Sequence, residues 1–149
     1  MRKIILILFI SIVFQSISFS KESRYFLMLK NNKVNVRHGP SLDYPIKFIY
    51  KKKFLPVKVI DKKENFRKII DHKKNSGWIH RIMLKKSNSL VVLEDKILFS
   101  KSSKFSRPIV KLEKGRLLIV NKCKKNWCKV KTEKFKGWIN TNNIWGTAN

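Results

Sequence analysis

Residues 76–80 read SGWIH, and residues 136–140 read KGWIN. A Gly-Trp-Ile tripeptide thus returns sixty residues later in a chain of 149. Such self-similarity points to a duplicated unit, and the flanking residues test it. VNVRHGPSLDYPIKFIYKKKFLPVKVI (34–60) lies over ILFSKSSKFSRPIVKLEKGRLLIVNKC (97–123). Pro45-Ile46 then falls on Pro108-Ile109, and Phe54-Leu55-Pro56-Val57 on Leu117-Leu118-Ile119-Val120. NFRKI (65–69) falls on NWCKV (126–130), and the offset shrinks from 63 to 61 to 60, so the second copy has shorter loops.

Each copy is a series of short strand signals. Runs rich in β-branched and aromatic residues, such as FLPVKVI and RLLIV, alternate with turn formers such as HGPS, DKKEN and HKKNSG. No stretch after residue 20 carries a helical apolar period. Five or six short strands per copy at this spacing predict an all-β chain of two tandem small barrels. RYFLMLK (24–30) and SLVVLED (89–95) supply a leading strand to each, and the polar stretch LKKSN (84–88) marks the boundary. The domains expected are 21–86 and 87–149. A barrel this small buries little apolar surface, so the two are expected to pack together or to rely on a cross-link.

The N-terminus has the grammar of a secretory signal peptide. Arg2 and Lys3 precede an apolar run from Ile4 to Phe14, and Ser18-Phe19-Ser20 offers small residues for cleavage after Ser20. The run falls short of the ~20 residues needed to cross a bilayer core, and no cysteine follows it to carry a lipid. The mature chain is therefore expected to be periplasmic or secreted. Of 35 Lys and Arg, 33 lie beyond Ser20 against nine Asp and Glu. Such a surface attracts anionic polymers non-specifically. The lysines are scattered, and Lys, Ile, Asn and Phe are abundant together, a composition that drift toward AT-rich codons also produces. Export removes nucleic acid from the expected partners.

These residues carry a resemblance. KVNVRHGPSLDYPI, YKKKFLPVKVID, ENFRKI and SGWIHRIML together resemble the bacterial SH3-like (SH3b) domain. The second copy is similar to the degenerate partner of two-domain periplasmic members, chiefly of alphaproteobacteria. The resemblance implies small five- or six-stranded barrels and a loose function in cell-wall or peptide-ligand targeting, often beside a hydrolase. With none found before Asn149, it implies a non-catalytic binding or scaffold module whose ligand is peptidoglycan or an envelope protein. The alternative is an electrostatic binder of anionic envelope polymers. Phe66 stands where the family commonly has tryptophan, and Lys52 or Lys53 where a turn glycine is common, while the second copy keeps Gly115. Ser100-Lys101-Ser102 stands against Arg37-His38-Gly39.

Gly39-Pro40 predicts a tight turn using the positive φ open to glycine. Arg37, on the strand end before it, either locks the long loop to backbone carbonyls or faces a ligand carboxylate. Gly77 and Gly137 suit a tight hairpin or a bulge. Alternation sends Ile79 and Ile139 to the core and leaves Trp78 and Trp138 on the wall, as half-buried packing residues or ligand contacts. By analogy with SH3-type barrels, Phe66 and Trp127 form the aromatic lip of a groove, with Tyr44 from the long loop beside Phe66. Stiff aromatics make good anchors, and the basic loop suits acidic ligands.

Cys123 and Cys128 bracket a short turn, and their even number in an exported chain favours a disulfide over a redox or metal pair. His38, His72 and His80 fit no metal or catalytic spacing, and Asp71 and His72 read as solvated hairpin residues. No nucleophile elbow or phosphate loop is present in the sequence. No enzyme activity, cofactor or metal is expected.

Overall fold

The structure, a computed structural model, describes residues 25–147, so the signal peptide expected over 1–20 lies outside the described residues. Two units follow one another. The first holds β1 (Tyr25–Leu29), β2 (Val34–Arg37), β3 (Ile46–Tyr50), β4 (Pro56–Lys63), β5 (Phe66–Ile70), β6 (Ser76–His80) and β7 (Leu84–Lys86). The second holds β8 (Ser89–Val92), β9 (Lys96–Phe99), β10 (Pro108–Leu112), β11 (Leu117–Lys124), β12 (Trp127–Lys131), β13 (Lys136–Asn140) and β14 (Ile144–Gly146). The only helical turn among the described residues is the 3-10 segment Arg81–Met83.

Each unit has seven strands rather than the five or six expected, because β7 and β14 are three-residue strands too short to stand out in sequence. The order β3-β2-β6-β5-β4-β1-β7 in the first sheet repeats as β10-β9-β13-β12-β11-β8-β14 in the second. All pairs are antiparallel. The pleat sends Val34, Val36, Val57, Val59, Ile69 and Ile79 into one core, and Leu98, Leu118, Val120, Val130 and Ile139 into the other. The isoleucines of both GWI repeats are fully buried, and both tryptophans are half-buried.

The strand pairing corrects the repeat alignment. Trp78 lies opposite Arg37, and Trp138 lies opposite Phe99, so the counterpart of Arg37 is Phe99, one residue before Ser100. Likewise Phe54 donates to the Leu29 carbonyl as Gly115 donates to that of Val92. Phe54, not Lys52 or Lys53, therefore stands where the second unit has glycine. Both are left-handed, with φ of 65° and 85°.

Gly77 and Gly137 sit inside strands rather than at turns. A Cβ on Gly77 would lie 2.4 Å from Val36 Cγ1, and one on Gly137 2.6 Å from the Phe99 carbonyl oxygen. Glycine is required because β2 and β9 cross so closely there.

The units pack through β8. Its residues are buried on both faces: Leu90 and Val92 enter the second core, and Val91 enters the first. On the Val91 face, Ser89 Oγ donates to the Phe54 carbonyl at 2.6 Å. Trp145 packs on the first core, edge-on to Phe26 at 5.3 Å between ring centroids, and its Nε1 donates to the Pro56 carbonyl at 3.0 Å. The first core thus borrows Val91, Leu117 and Trp145 from the second unit.

Candidate functional site: a groove on the first unit

A groove of about 550 Å³ opens on the first unit. One wall comes from Lys33, Asn35 and Arg37, which point outward because Val34 and Val36 point in. Leu42, Ile46 and Ile49 form a second wall, and Ile82 and Met83 of the 3-10 turn a third. Strand alternation alone would send residues 46 and 49 to opposite faces. The register between β2 and β3 shifts between Val36 and Arg37, leaving an extra residue on β3, and this bulge turns both isoleucines outward. Leu42 and Ile82 are 67% and 63% exposed, an apolar surface that a soluble domain would ordinarily cover or use.

The floor is Phe66 and His80, packed edge-on with centroids 5.0 Å apart. Phe66 is only 6% exposed, so it is the floor rather than a projecting lip. His80 Nδ1 accepts from the Ile82 N–H at 3.4 Å, capping the 3-10 turn. Arg81 ties that turn to the β4–β5 hairpin through Asn65 Oδ1 at 2.9 Å.

Arg37 does two things. Its Nη1 donates to the Tyr44 carbonyl at 2.7 Å, closing loop 38–45, and its side chain lines the groove. Tyr44 does not line it. Its ring lies over Gly39, where a Cβ would sit 2.5 Å from the ring carbons. Gly39 has no positive φ, so it is required for space beneath Tyr44, not for turn geometry. Trp78 lies on the outer wall beside Arg37 and Lys68, outside the groove.

The second unit treats the same place differently. Trp127 stands where Phe66 does and packs edge-on against Phe99, the counterpart of Arg37, at 5.8 Å. Asn140 replaces His80. Trp138 is half-buried with Lys122 Nζ 6.0 Å from its ring centroid. The six aromatic and basic candidates, Arg37, Tyr44, Phe66, Trp78, Trp127 and Trp138, are therefore not one cluster. Only Arg37 and Phe66 meet in the groove. Leu42, Ile46, Ile49 and Ile82 are not singled out by the sequence, since Ile46 and Ile49 sit on a bulged strand and look like core residues, while Leu42 lies in the long loop and Ile82 in the 3-10 turn, where no apolar period marks them.

Cys123 and Cys128 form a disulfide between directly opposed residues of β11 and β12, with Cα atoms 4.0 Å apart. The connection between these strands is two residues, Lys125-Asn126.

Asp71 is not solvated. It is 2% exposed and accepts from Tyr50 Oη at 2.9 Å, from the N–H groups of Lys73 and Asn75 at 2.8 and 2.9 Å, and from Asn75 Nδ2 at 2.9 Å. Burial, then the Asp71 carboxylate, pushes the Tyr50 phenol well above its usual range. His72 Nδ1 is buried without a partner. Burial lowers the His72 pKa, with Lys73 and Lys52 acting in the same sense and Asp71 against them.

The profile of the bacterial SH3 domain matches residues 30–86 and 97–146. No curated protein matches the sequence. Among solved structures, NlpC2 of Trichomonas vaginalis is 12% identical with a TM-score of 0.39, the match covering 86% of this chain and 50% of that one. NlpC1 of the same organism is 12% identical, TM-score 0.38, covering 87% and 48%. An NlpC/P60 family protein of Bacillus cereus is 11% identical, TM-score 0.38, covering 82% and 57%. The chain spans about half the length of these structures.

Proposed function

The chain belongs to the bacterial SH3 domain family, a family of binding domains, and we propose that it is an exported, non-catalytic binding module of the cell envelope that takes its ligand in the groove of the first unit. One observation carries the reading. Four exposed aliphatic side chains, Leu42, Ile46, Ile49 and Ile82, converge over a Phe66 floor beside two cations, Lys33 and Arg37. An apolar hollow with a few convergent charges is the usual form of a binding site. The cations favour a ligand that pairs apolar groups with carboxylates, as a peptidoglycan stem peptide or an acidic segment of an envelope protein does. Export is supported by the N-terminal pattern and by the Cys123–Cys128 disulfide, which suits an oxidising compartment.

Purified sacculi test the proposal. The full chain should be retained at moderate salt. Replacing two solvent-facing groove residues, Ile49→Glu with Ile82→Glu, should weaken retention about tenfold, since burying two such side chains contributes a few kcal/mol at most. Equal retention of a folded double variant would remove the groove from the reading. Failure of the unaltered chain to bind would remove the wall as the ligand.

A further inference from the structure

Two hollows of about 770 and 630 Å³ open along the seam between the units, and Lys52 lines both. The first unit contributes Lys52, Lys53 and Lys73 to their walls, and the second contributes Lys114, Arg116 and Lys131. Two carboxylates share those walls, Asp71 and Glu133. Asp71 is already engaged by four donors within its own unit. The salt bridges among the described residues are Lys96–Glu94 and Lys111–Asp95, so none of the six seam cations pairs with a carboxylate among the described residues.

The usual account of unpaired lysines is a solvated surface, where each charge is screened alone. Here six stand on facing walls of a concave seam, where low-dielectric walls concentrate the field. Their mutual repulsion opposes the packing that Val91, Leu117 and Trp145 provide, so the empty seam is electrostatically unfavourable and an anion in it would favour the packed arrangement. His72 lies in the same wall with its buried Nδ1 unpartnered.

We propose that the inter-unit seam is a binding track for a linear phosphate-bearing polyanion, held by cations from both units at once. Two adjoining hollows sharing Lys52 fit a chain of anions better than a single one, and lysine ammonium groups serve as point charges for phosphate oxygens. The track does not depend on the groove reading, since the two surfaces share no lining residue.

The test compares two triple variants of the full chain that remove equal charge from exposed positions. One alters the seam: Lys52→Gln, Lys114→Gln, Arg116→Gln. The other alters hairpin tips: Lys62→Gln, Lys63→Gln, Lys124→Gln. With long-chain inorganic polyphosphate at low salt, the seam triple should bind about tenfold more weakly and show a flatter salt dependence, because each lost contact is a modest ion pair. The tip triple should stay within about twofold. Polyphosphate should also move the His72 imidazole resonances and raise the pH at which they titrate. Equal losses in the two triples, or His72 signals unmoved at saturation, would overturn the proposal. So would a seam triple that keeps polyphosphate binding but loses binding to anionic lipid vesicles, which would make the ligand a membrane surface.

Discussion

At the turn after β5 the first unit buries a carboxylate, and at the same turn after β12 the second unit uses a hydroxyl. Thr132 Oγ1 accepts from the N–H groups of Phe135 and Lys134 at 3.0 and 3.3 Å, as Asp71 accepts from Lys73 and Asn75. The difference is Tyr50. Its phenol reaches Asp71, whereas its counterpart in the second unit is Leu112, which is buried and asks for no partner. One strand order therefore supports two ways of closing a hairpin. A polar pair in the core position obliges the turn to supply a charged acceptor, and an apolar residue there lets a threonine suffice.

Loss of the carboxylate breaks that comparison. Asp71→Ala leaves the half-buried Tyr50 hydroxyl without its acceptor and the hairpin N–H groups uncapped, and should cost about 2 to 3 kcal/mol in chemical denaturation. Thr132→Ala should cost about 1 kcal/mol. The pair Tyr50→Leu with Asp71→Thr copies the second unit's arrangement and should cost less than Asp71→Ala alone. If it costs more, the two hairpins are not interchangeable solutions.

A second pair sharpens the contrast between the units at their shared crossing. Gly137→Ala drives a methyl into the Phe99 carbonyl, a backbone atom, and should cost about 3 kcal/mol. Gly77→Ala meets the Val36 side chain first, with the Arg37 carbonyl farther off at 3.0 Å, and should cost about 2 kcal/mol. A reversal of this order in thermal melts would mean that β2 yields less readily than β9.

The disulfide belongs to one unit only. Its reduction should cost about 2 kcal/mol by closure of a short loop. Lys62 and Arg67 are the opposed pair at the same place in the first unit. Lys62→Cys with Arg67→Cys should therefore form a second bridge, detected by mass shift on reduction. Failure to oxidise would show that the two hairpins differ in backbone geometry despite their matching register.

How much of this was legible follows from the range of each interaction. Strand alternation placed Ile79 and Ile139 in the cores from sequence alone, because a two-residue period is local. The duplication was legible because the repeated GWI tripeptide and its aligned flanks are contiguous in each copy. The need for glycine at 77 and 137 was not, since it arises where β2 and β9, forty residues away in the chain, cross over them. Asp71 looked solvated because its partner Tyr50 lies 21 residues earlier. The groove walls were hidden by the β3 bulge, which turns Ile46 and Ile49 the same way against their sequence period. The apolar run Leu90–Leu93 reads only as a leading strand of the second unit; the burial of β8 on both faces depends on the packing of the two units, which no local pattern encodes.

The smallest effect concerns Phe54 and Gly115, where lysine-rich sequence concealed the position of a one-residue length difference. Both hold a left-handed φ, which an L side chain adopts at a cost of about 1 kcal/mol and glycine adopts freely. Gly115→Ala should thus destabilise by about 1 kcal/mol, although its Cβ would meet nothing within 4 Å. Phe54 retains the conformation because its carbonyl receives Ser89 from the other unit, while Lys53 and Lys85 stand over its ring at 5.1 and 4.7 Å. Phe54→Ala removes the ring contacts and keeps the strain. Phe54→Gly removes both, and should be the more stable of the two by about 1 kcal/mol in paired denaturation curves. If alanine proves the better substitute, the left-handed turn is not strained, and the contact with Ser89 rather than backbone sterics sets its shape.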